Sequence, residues 1–304
     1  MSERAAAERA QQRRYQQVLT IAGKGTAAHQ FRETLRGIAL DAAGRVVAVG
    51  DSTLRVFDPA GVLLHSWATE KPGQCVALGP DGRVWVGQEG QLEVFAPFEG
   101  GGAGEQQARR VDVWRDAELL GRVTAIGHAG DWVLVADASA RRIRRFDRTG
   151  KHLNDIGGDE RARAFLIPNG VLDFAVDAEH VVHAANPGKH RVERYTLAGE
   201  LVGRMGRFDG RDPEGFAGCC NPTNVTLAGG GRLCVSEKAA PRVKLYDGAG
   251  KLLAIVSDEA FDPGCKNMDV AVDALGRVFV VDTVRLTICV FAARENGKEE
   301  GARR

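Results

Sequence analysis

The chain has 304 residues, 44% of them hydrophobic and 27% charged, and 41 Lys and Arg against 40 Asp and Glu leave a formal net charge of +1. That length suits one large all-β domain, and the near-neutral balance excludes the general field that drives non-specific nucleic-acid binding, so nucleic acid is not expected as a partner. No apolar run reaches the ~18 residues of a membrane helix, and none of signal-peptide length follows the basic Arg13-Arg14. The chain as written therefore reads as cytoplasmic and without a membrane span, an exported form being left open.

Residues 1–15 are mostly Ala, Glu, Gln and Arg and are expected to form a flexible N-terminal segment. A short apolar stretch, Gln17 to Gly23, comes next and has no partner nearby in sequence. From there one pattern is written six times. Its first apolar strand appears at Ile38-Ala39-Leu40, Val76-Ala77-Leu78, Thr124-Ala125-Ile126, Phe174-Ala175-Val176, Val225-Thr226-Leu227 and Val270-Ala271-Val272. A second apolar strand follows each, as in Val46 to Val49 and Val278 to Val281, and then a third ending in an aromatic, as in Leu54 to Phe57 and Val243 to Tyr246. In the third strands Arg55, Arg144, Arg194 and Lys244 alternate with apolar neighbours, so a face meeting water is expected there.

Repeats of roughly 40 to 50 residues holding about four strands each are the signature of propeller blades, which bury their faces only against neighbours. The expected fold is an all-β, six-bladed β-propeller over residues 16–292, followed by a charged C-terminal tail at 293–304. The last repeat runs out after Phe291 without a fourth strand, so the N-terminal stretch is expected to complete the sixth blade and remove its open edge. Such a closed ring is expected to be monomeric.

Three segments carry a resemblance to the NHL-repeat family: Gly188-Lys189-His190-Arg191-Val192-Glu193-Arg194-Tyr195, Pro241-Arg242-Val243-Lys244-Leu245-Tyr246 and Asn267-Met268-Asp269-Val270-Ala271-Val272-Asp273. The resemblance spans about residues 16 to 292 and implies the propeller fold, with enzymes, sensors and binding platforms all among its uses. Peptide-amidating lyases that look like NHL propellers place zinc-binding His two residues before the inner-strand marker. Here those places hold Arg36, Gln74, Arg122, Leu172, Thr223 and Met268, so that zinc site does not carry over. Related lactonase-type propellers hold a divalent cation with axial polar residues. Only Pro168-Asn169-Gly170 resembles their motif, and Leu172 breaks its register.

The least propeller-like stretch is Gly218-Cys219-Cys220-Asn221-Pro222-Thr223-Asn224. Aligning the fifth and sixth inner strands on Val225 and Val270 puts Cys220 and Cys265 at equivalent positions on one rim. Three thiolates meeting there would suit a soft metal, Zn, Cu or Fe, or Cys219 and Cys220 would act as a redox dithiol. Cys234, Cys289 and Cys75 lie in strands and read as small buried hydrophobes. Asp173, Asn224 and Asp269 recur just before inner strands, where carboxylates around an axis would hold Ca²⁺ or instead bond loop amides. After the second strands a polar ring recurs as Asp51, Gln88, Asp137, Asn186, Glu237 and Asp282; at Ser236-Glu237-Lys238 it adds a cation that would orient an anionic ligand.

No nucleophile elbow, phosphate loop or metalloprotease helix is written in the chain. The reading that follows is a binding platform for a protein or small molecule. Its rim loops present Cys219, Cys220, Asn221, Asn224, Ser236, Glu237, Lys238, Cys265 and Asp269, with the Cys219-Cys220 face foremost. The alternative is a metal-binding or thiol-redox protein using Cys219, Cys220 and Cys265, and a third is a divalent-cation-dependent lactonase-type hydrolase.

Overall fold

In the computed structural model, which describes residues 14–98, 109–116, 118–158 and 164–294, the strands are grouped into six four-stranded antiparallel sheets. After β1 (Tyr15–Ala22), the first blade is β2 (Gly37–Leu40), β3 (Val46–Gly50), β4 (Thr53–Phe57) and β5 (Leu63–Ala68), and the second is β6 (Cys75–Leu78), β7 (Val84–Gln88), β8 (Gln91–Phe95) and β9 (Arg110–Arg115). The third is β10 (Val123–Ala129), β11 (Trp132–Asp137), β12 (Arg142–Phe146) and β13 (His152–Ile156), and the fourth is β14 (Phe174–Val176), β15 (Val182–Asn186), β16 (Arg191–Tyr195) and β17 (Leu201–Met205). The fifth is β18 (Asn224–Ala228), β19 (Arg232–Glu237), β20 (Arg242–Tyr246) and β21 (Leu252–Ser257). The sixth joins β22 (Val270–Val272), β23 (Val278–Asp282) and β24 (Thr287–Ala293) to β1, which pairs antiparallel with β24 from Tyr15↔Ala293 to Ala22↔Thr287. The six-bladed propeller and its closure by the N-terminal strand are thus both present. The expected flexible segment and charged tail fall mainly on residues 1–13 and 295–304, outside the described residues.

In the first and sixth blades the turn from first to second strand is made by one device. Asp41 Oδ1 accepts the N–H groups of Ala43 and Arg45 at 2.9 and 2.8 Å, and Gly44 takes φ +77°, where a Cβ would be strained. Asp273 repeats it with Leu275 and Arg277 around Gly276. The opposite turns are held by the polar ring after the second strand, whose side chains capture the loop entering the same blade. Asp51 accepts from the N–H groups of Arg32, Glu33 and Thr34, Asn186 from Leu166, and Asp282 from Asp262.

Second strands such as β3, β7 and β23 are buried along their whole length, because both faces of each blade pack on neighbours. The apolar side chains form six clusters, one at each interface between adjacent blades; Val47 and Val49 of the first blade, for example, meet Val76 and Val86 of the second.

This geometry corrects the expected wet face of the third strands. Arg55 and Arg144 are each only 8% exposed and Lys244 is fully buried. Arg144 pairs with Asp137 at 3.3 Å and Lys244 with Glu237 at 2.5 Å, so the basic residue of the third strand meets the polar ring of the second. Arg194 stands one place out of that register: counting back from the terminal aromatic, Glu193 is the counterpart of Lys244, and it accepts from Asn186 Nδ2 at 2.8 Å. The third inner strand also departs from its expected register. A bulge between Val123 and Ala125 brings Ile126 opposite Val135, the place Ile38 holds opposite Ala48, whereas Thr124 was expected at that place.

Ser236 ties two blades together: its hydroxyl donates to Met268 O at 2.7 Å and lies 3.0 Å from Thr223 Oγ1. Ser236→Ala leaves that carbonyl buried without its donor and is expected to lower the unfolding free energy by about 1–2 kcal/mol in urea denaturation. A loss of less than about 0.5 kcal/mol would show that this staple carries no weight.

Candidate functional site

Residues at the start of the inner strands face the propeller axis, and there their side chains reach across to the next blade. Asp269 Oδ2 accepts the N–H of Ile38 at 2.8 Å, Asp173 Oδ2 that of Val225 at 2.8 Å, and Thr124 Oγ1 donates to Leu172 O at 2.7 Å. The Cys75 thiol points at Val123 O, 3.6 Å away. In the first blade the place is held by Gly37, where a Cβ would stand 2.9 Å from the Cα of Cys75, so backbone packs directly on backbone. Cys75 is thus part of an axial ring as well as the small buried side chain expected.

This ring surrounds a cavity of about 570 Å³ running along the axis. Its mouth is formed by the loops that enter the blades, with Glu33, Arg36, Gln74, Lys266 and Asn267; its far end is lined by Gly127, His128 and Val176. Across the mouth Asn169 Nδ2 donates to Asn267 Oδ1, and Gly170 O accepts from Arg122 at 2.7 Å. The Pro168-Asn169-Gly170 segment therefore ties the fourth blade's entry loop to those of the sixth and third.

Asp173 and Asp269 stand within electrostatic reach of one another in this enclosure. Burial pushes Asp269 up to about 7 against the pull of the Ile38 and Val270 N–H groups, and burial and then the Asp269 charge push Asp173 well above the carboxylate range. Cys75 is raised too, by burial and then by both carboxylates. Asn224 is 5% exposed, and its Oδ1 has no hydrogen-bond partner. No Lys or Arg is ion-paired with either carboxylate among the described residues. Ca²⁺ was one expectation here, yet among the described residues no three His, Cys, Asp or Glu side chains are grouped as a metal ion would require.

On the same end of the propeller the loop between β17 and β18 carries the two adjacent cysteines. Their sulfurs are 2.8 Å apart, both thiols are free, and Cys219 is exposed while Cys220 is buried. Asn221 fixes the loop to the turn after β19: its Nδ2 donates to Ala217 O and Lys238 O at 2.7 and 2.8 Å, and its Oδ1 accepts the N–H of Lys238 at 2.8 Å. The Lys238 ammonium pulls the Cys220 thiol down, against the burial and the Cys219 contact that raise it.

Cys265 does not join them. Its thiol donates to Asp282 at 3.1 Å inside the apolar cluster between the fifth and sixth blades, and burial and that carboxylate push it up to about 11. The reason lies in the repeat itself: equivalent positions of successive blades are one sixth of a turn apart, and each cysteine sits beneath its own blade's turn. The expected trio of thiols is therefore a pair and a single. Glu237 also departs from expectation, since its carboxylate turns inward to Lys244 and Arg242 and leaves Lys238 to the sulfurs.

Sequence reasoning passed over two lining groups, Thr124 and His128. Thr124 was hidden by its bulge, and nothing in the spacing marks His128. Burial lowers that imidazole to about 4, and it also borders a second cavity of about 250 Å³ at the far end, between the second and third blades, with Trp85, Trp114 and Trp132.

No protein-family model matches the chain, and no curated protein matches it by sequence. Among solved structures it is similar to a structural-genomics protein of unknown function from Bacteroides thetaiotaomicron, with a TM-score of 0.69, 15% identity, and 92% of this chain and 76% of that one covered. It is similar as well to virginiamycin B lyase from Staphylococcus aureus, with a TM-score of 0.61, 10% identity and coverage of 92% and 100%. A third is the WD40 β-propeller domain of Doa1, with a TM-score of 0.56, 11% identity and coverage of 92% and 98%. At these identities the likeness carries the fold alone. Among the described residues no helix is long and apolar enough to cross a membrane.

Proposed function

We propose that this chain is a ligand-binding propeller of NHL-type repeats whose working face is the end bearing the blade-entry loops, the Cys219-Cys220 loop among them. Its ligand is a small organic cation, an amine, seated in the axial cavity against Asp173 and Asp269. The observation that carries this reading is the pair of buried carboxyls sharing one cavity with no Lys or Arg ion-paired to either of them among the described residues, the basic Arg36 and Lys266 standing at its mouth. Burial of one carboxylate beside another is unfavourable, and an ammonium entering that space replaces the proton the pair otherwise retains. The cavity volume lies within the range of small-molecule sites, and the unpartnered Asn224 Oδ1 offers a further acceptor.

Titration calorimetry with alkyl monoamines, diamines and spermidine tests it. Binding is expected to be about tenfold tighter at pH 8 than at pH 6, because the ligand displaces a proton held with a pKa of about 7. Asp173→Asn and Asp269→Asn are each expected to remove that pH dependence and most of the affinity. Amine binding that neither substitution changes, or no amine binding at all, would reject the reading; Ca²⁺ binding in place of amines would favour a hard-cation site.

A further inference from the structure

Outside the axial cavity, the molecule holds two free sulfurs in contact on an otherwise pinned loop. We propose that Cys219 and Cys220 are a redox-convertible dithiol, oxidised by low-molecular-weight disulfides to an internal disulfide between adjacent residues, with Cys219 the attacking sulfur and Cys220 the resolving one. The assignment of roles follows from exposure. Cys219 is open to solvent and to a reagent, while Cys220 is 4% exposed and accessible chiefly to its neighbour, 2.8 Å away.

The surroundings fit thiolate chemistry. The Cys220 thiol and then the Lys238 ammonium hold the Cys219 thiol below its ordinary value, while burial and the contact with Cys219 raise Cys220. None of the other four cysteines has this setting, for Cys75, Cys234, Cys265 and Cys289 are all buried and all raised by that burial.

The step balances as ordinary exchange. The Cys219 thiolate attacks one sulfur of the reagent disulfide, whose S–S bond breaks, and the first reagent thiolate leaves with the electron pair and takes up a proton. Cys220 then gives up its proton and attacks the Cys219 sulfur of the mixed disulfide, and the second reagent thiol is released. Two protein thiols lose two electrons and two protons, and one reagent disulfide becomes two thiols. Because Asn221, the residue after Cys220, is clamped to Lys238 through its side chain, the conversion acts directly on the turn after β19, on the same face as the cavity mouth.

The test is incubation of the full chain in glutathione buffers of graded oxidation, followed by intact mass and peptide mapping. Wild type is expected to pass through a mixed disulfide on Cys219 to a product lighter by two hydrogens, with Cys219 joined to Cys220. Cys220→Ser is expected to stop at the mixed disulfide, and Cys219→Ser to stay reduced. Lys238→Met is expected to slow the first attack about threefold. The thiolate fraction falls about tenfold for each unit by which the thiol pKa rises, and greater nucleophilicity returns part of the rate. Wild type that accumulates the Cys219 adduct without forming the internal bond would overturn the proposal, and peptide mapping of wild type alone decides this even if a variant fails to fold. Equal reactivity of Cys219→Ser would overturn the assignment of roles.

Discussion

Lys244→Met is expected to lower the unfolding free energy by about 3–5 kcal/mol, the usual result of stripping one partner from a buried ion pair. Lys244 is fully buried, and its Nζ lies 2.5 Å from Glu237 Oε1 and donates to Pro213 O and Gly215 O at 2.9 and 2.8 Å. The ammonium also stands over the rings of Phe216 and Tyr246, 4.8 and 5.4 Å from their centroids. Burial lowers its pKa to about 8 against the pull of Glu237, so the residue is charged at neutral pH only because these partners surround it. Methionine fills much of the volume but leaves two carbonyls unpaired and Glu237, 1% exposed, with Arg242 alone. Urea denaturation at pH 7 measures the loss, and the double variant Glu237→Gln/Lys244→Met is expected to recover part of it, because the uncompensated charge is gone. A single variant within about 1 kcal/mol of wild type would mean that the pair is not needed for the fifth blade to hold its place.

Lys244 also shows where the sequence was legible and where it was not. The alternation of apolar and basic residues in the third strands placed those strands correctly, since the period of two is a local property. It could not say what the second face meets, because that depends on blades packing on both sides. The six repeats, their order and the closing strand were legible, as the apolar strand pattern recurs from blade to blade and the last repeat lacks the one strand that the N-terminal stretch supplies. The site was legible only in part. Asp173, Asn224 and Asp269 were visible as a recurring register position, but the enclosure that lifts the two carboxyls arises from the inner strands of all six blades meeting at the axis. Cys219 and Cys220 announced themselves by adjacency, and Asn221 by its loop. The turning-in of Glu237 and the separation of Cys265 needed the angle between blades, which spacing along the chain does not contain.

The axial pair makes the second large prediction, a fall in stability as pH rises from about 4 to 7. Asp269 titrates near 3.8 in the unfolded chain and at about 7 in the folded one, so the folded state binds more protons across that window. The group therefore contributes stability that is fully present below the unfolded value and lost as pH rises through the folded one. Taken alone, that difference of about three units corresponds to roughly 4 kcal/mol. Two histidines oppose it: burial lowers His128 to about 4 and lowers His190 as well, so each makes the protein more stable as pH rises toward 6.5. Asp282 acts lower down, where burial is outweighed by the Arg285 and Asp262 N–H groups, and its contribution is lost only as pH falls below about 4. Subtraction isolates the pair, since both histidines are common to wild type and Asp269→Asn. Between pH 5 and pH 8 the unfolding free energy of wild type is expected to fall relative to that variant by about 2–4 kcal/mol, even though the variant starts lower through loss of one acceptor for the Ile38 or Val270 N–H. Parallel curves for the two proteins would mean that Asp269 is ionised throughout, and the case for an ammonium as the natural occupant of the cavity would lose its electrostatic basis.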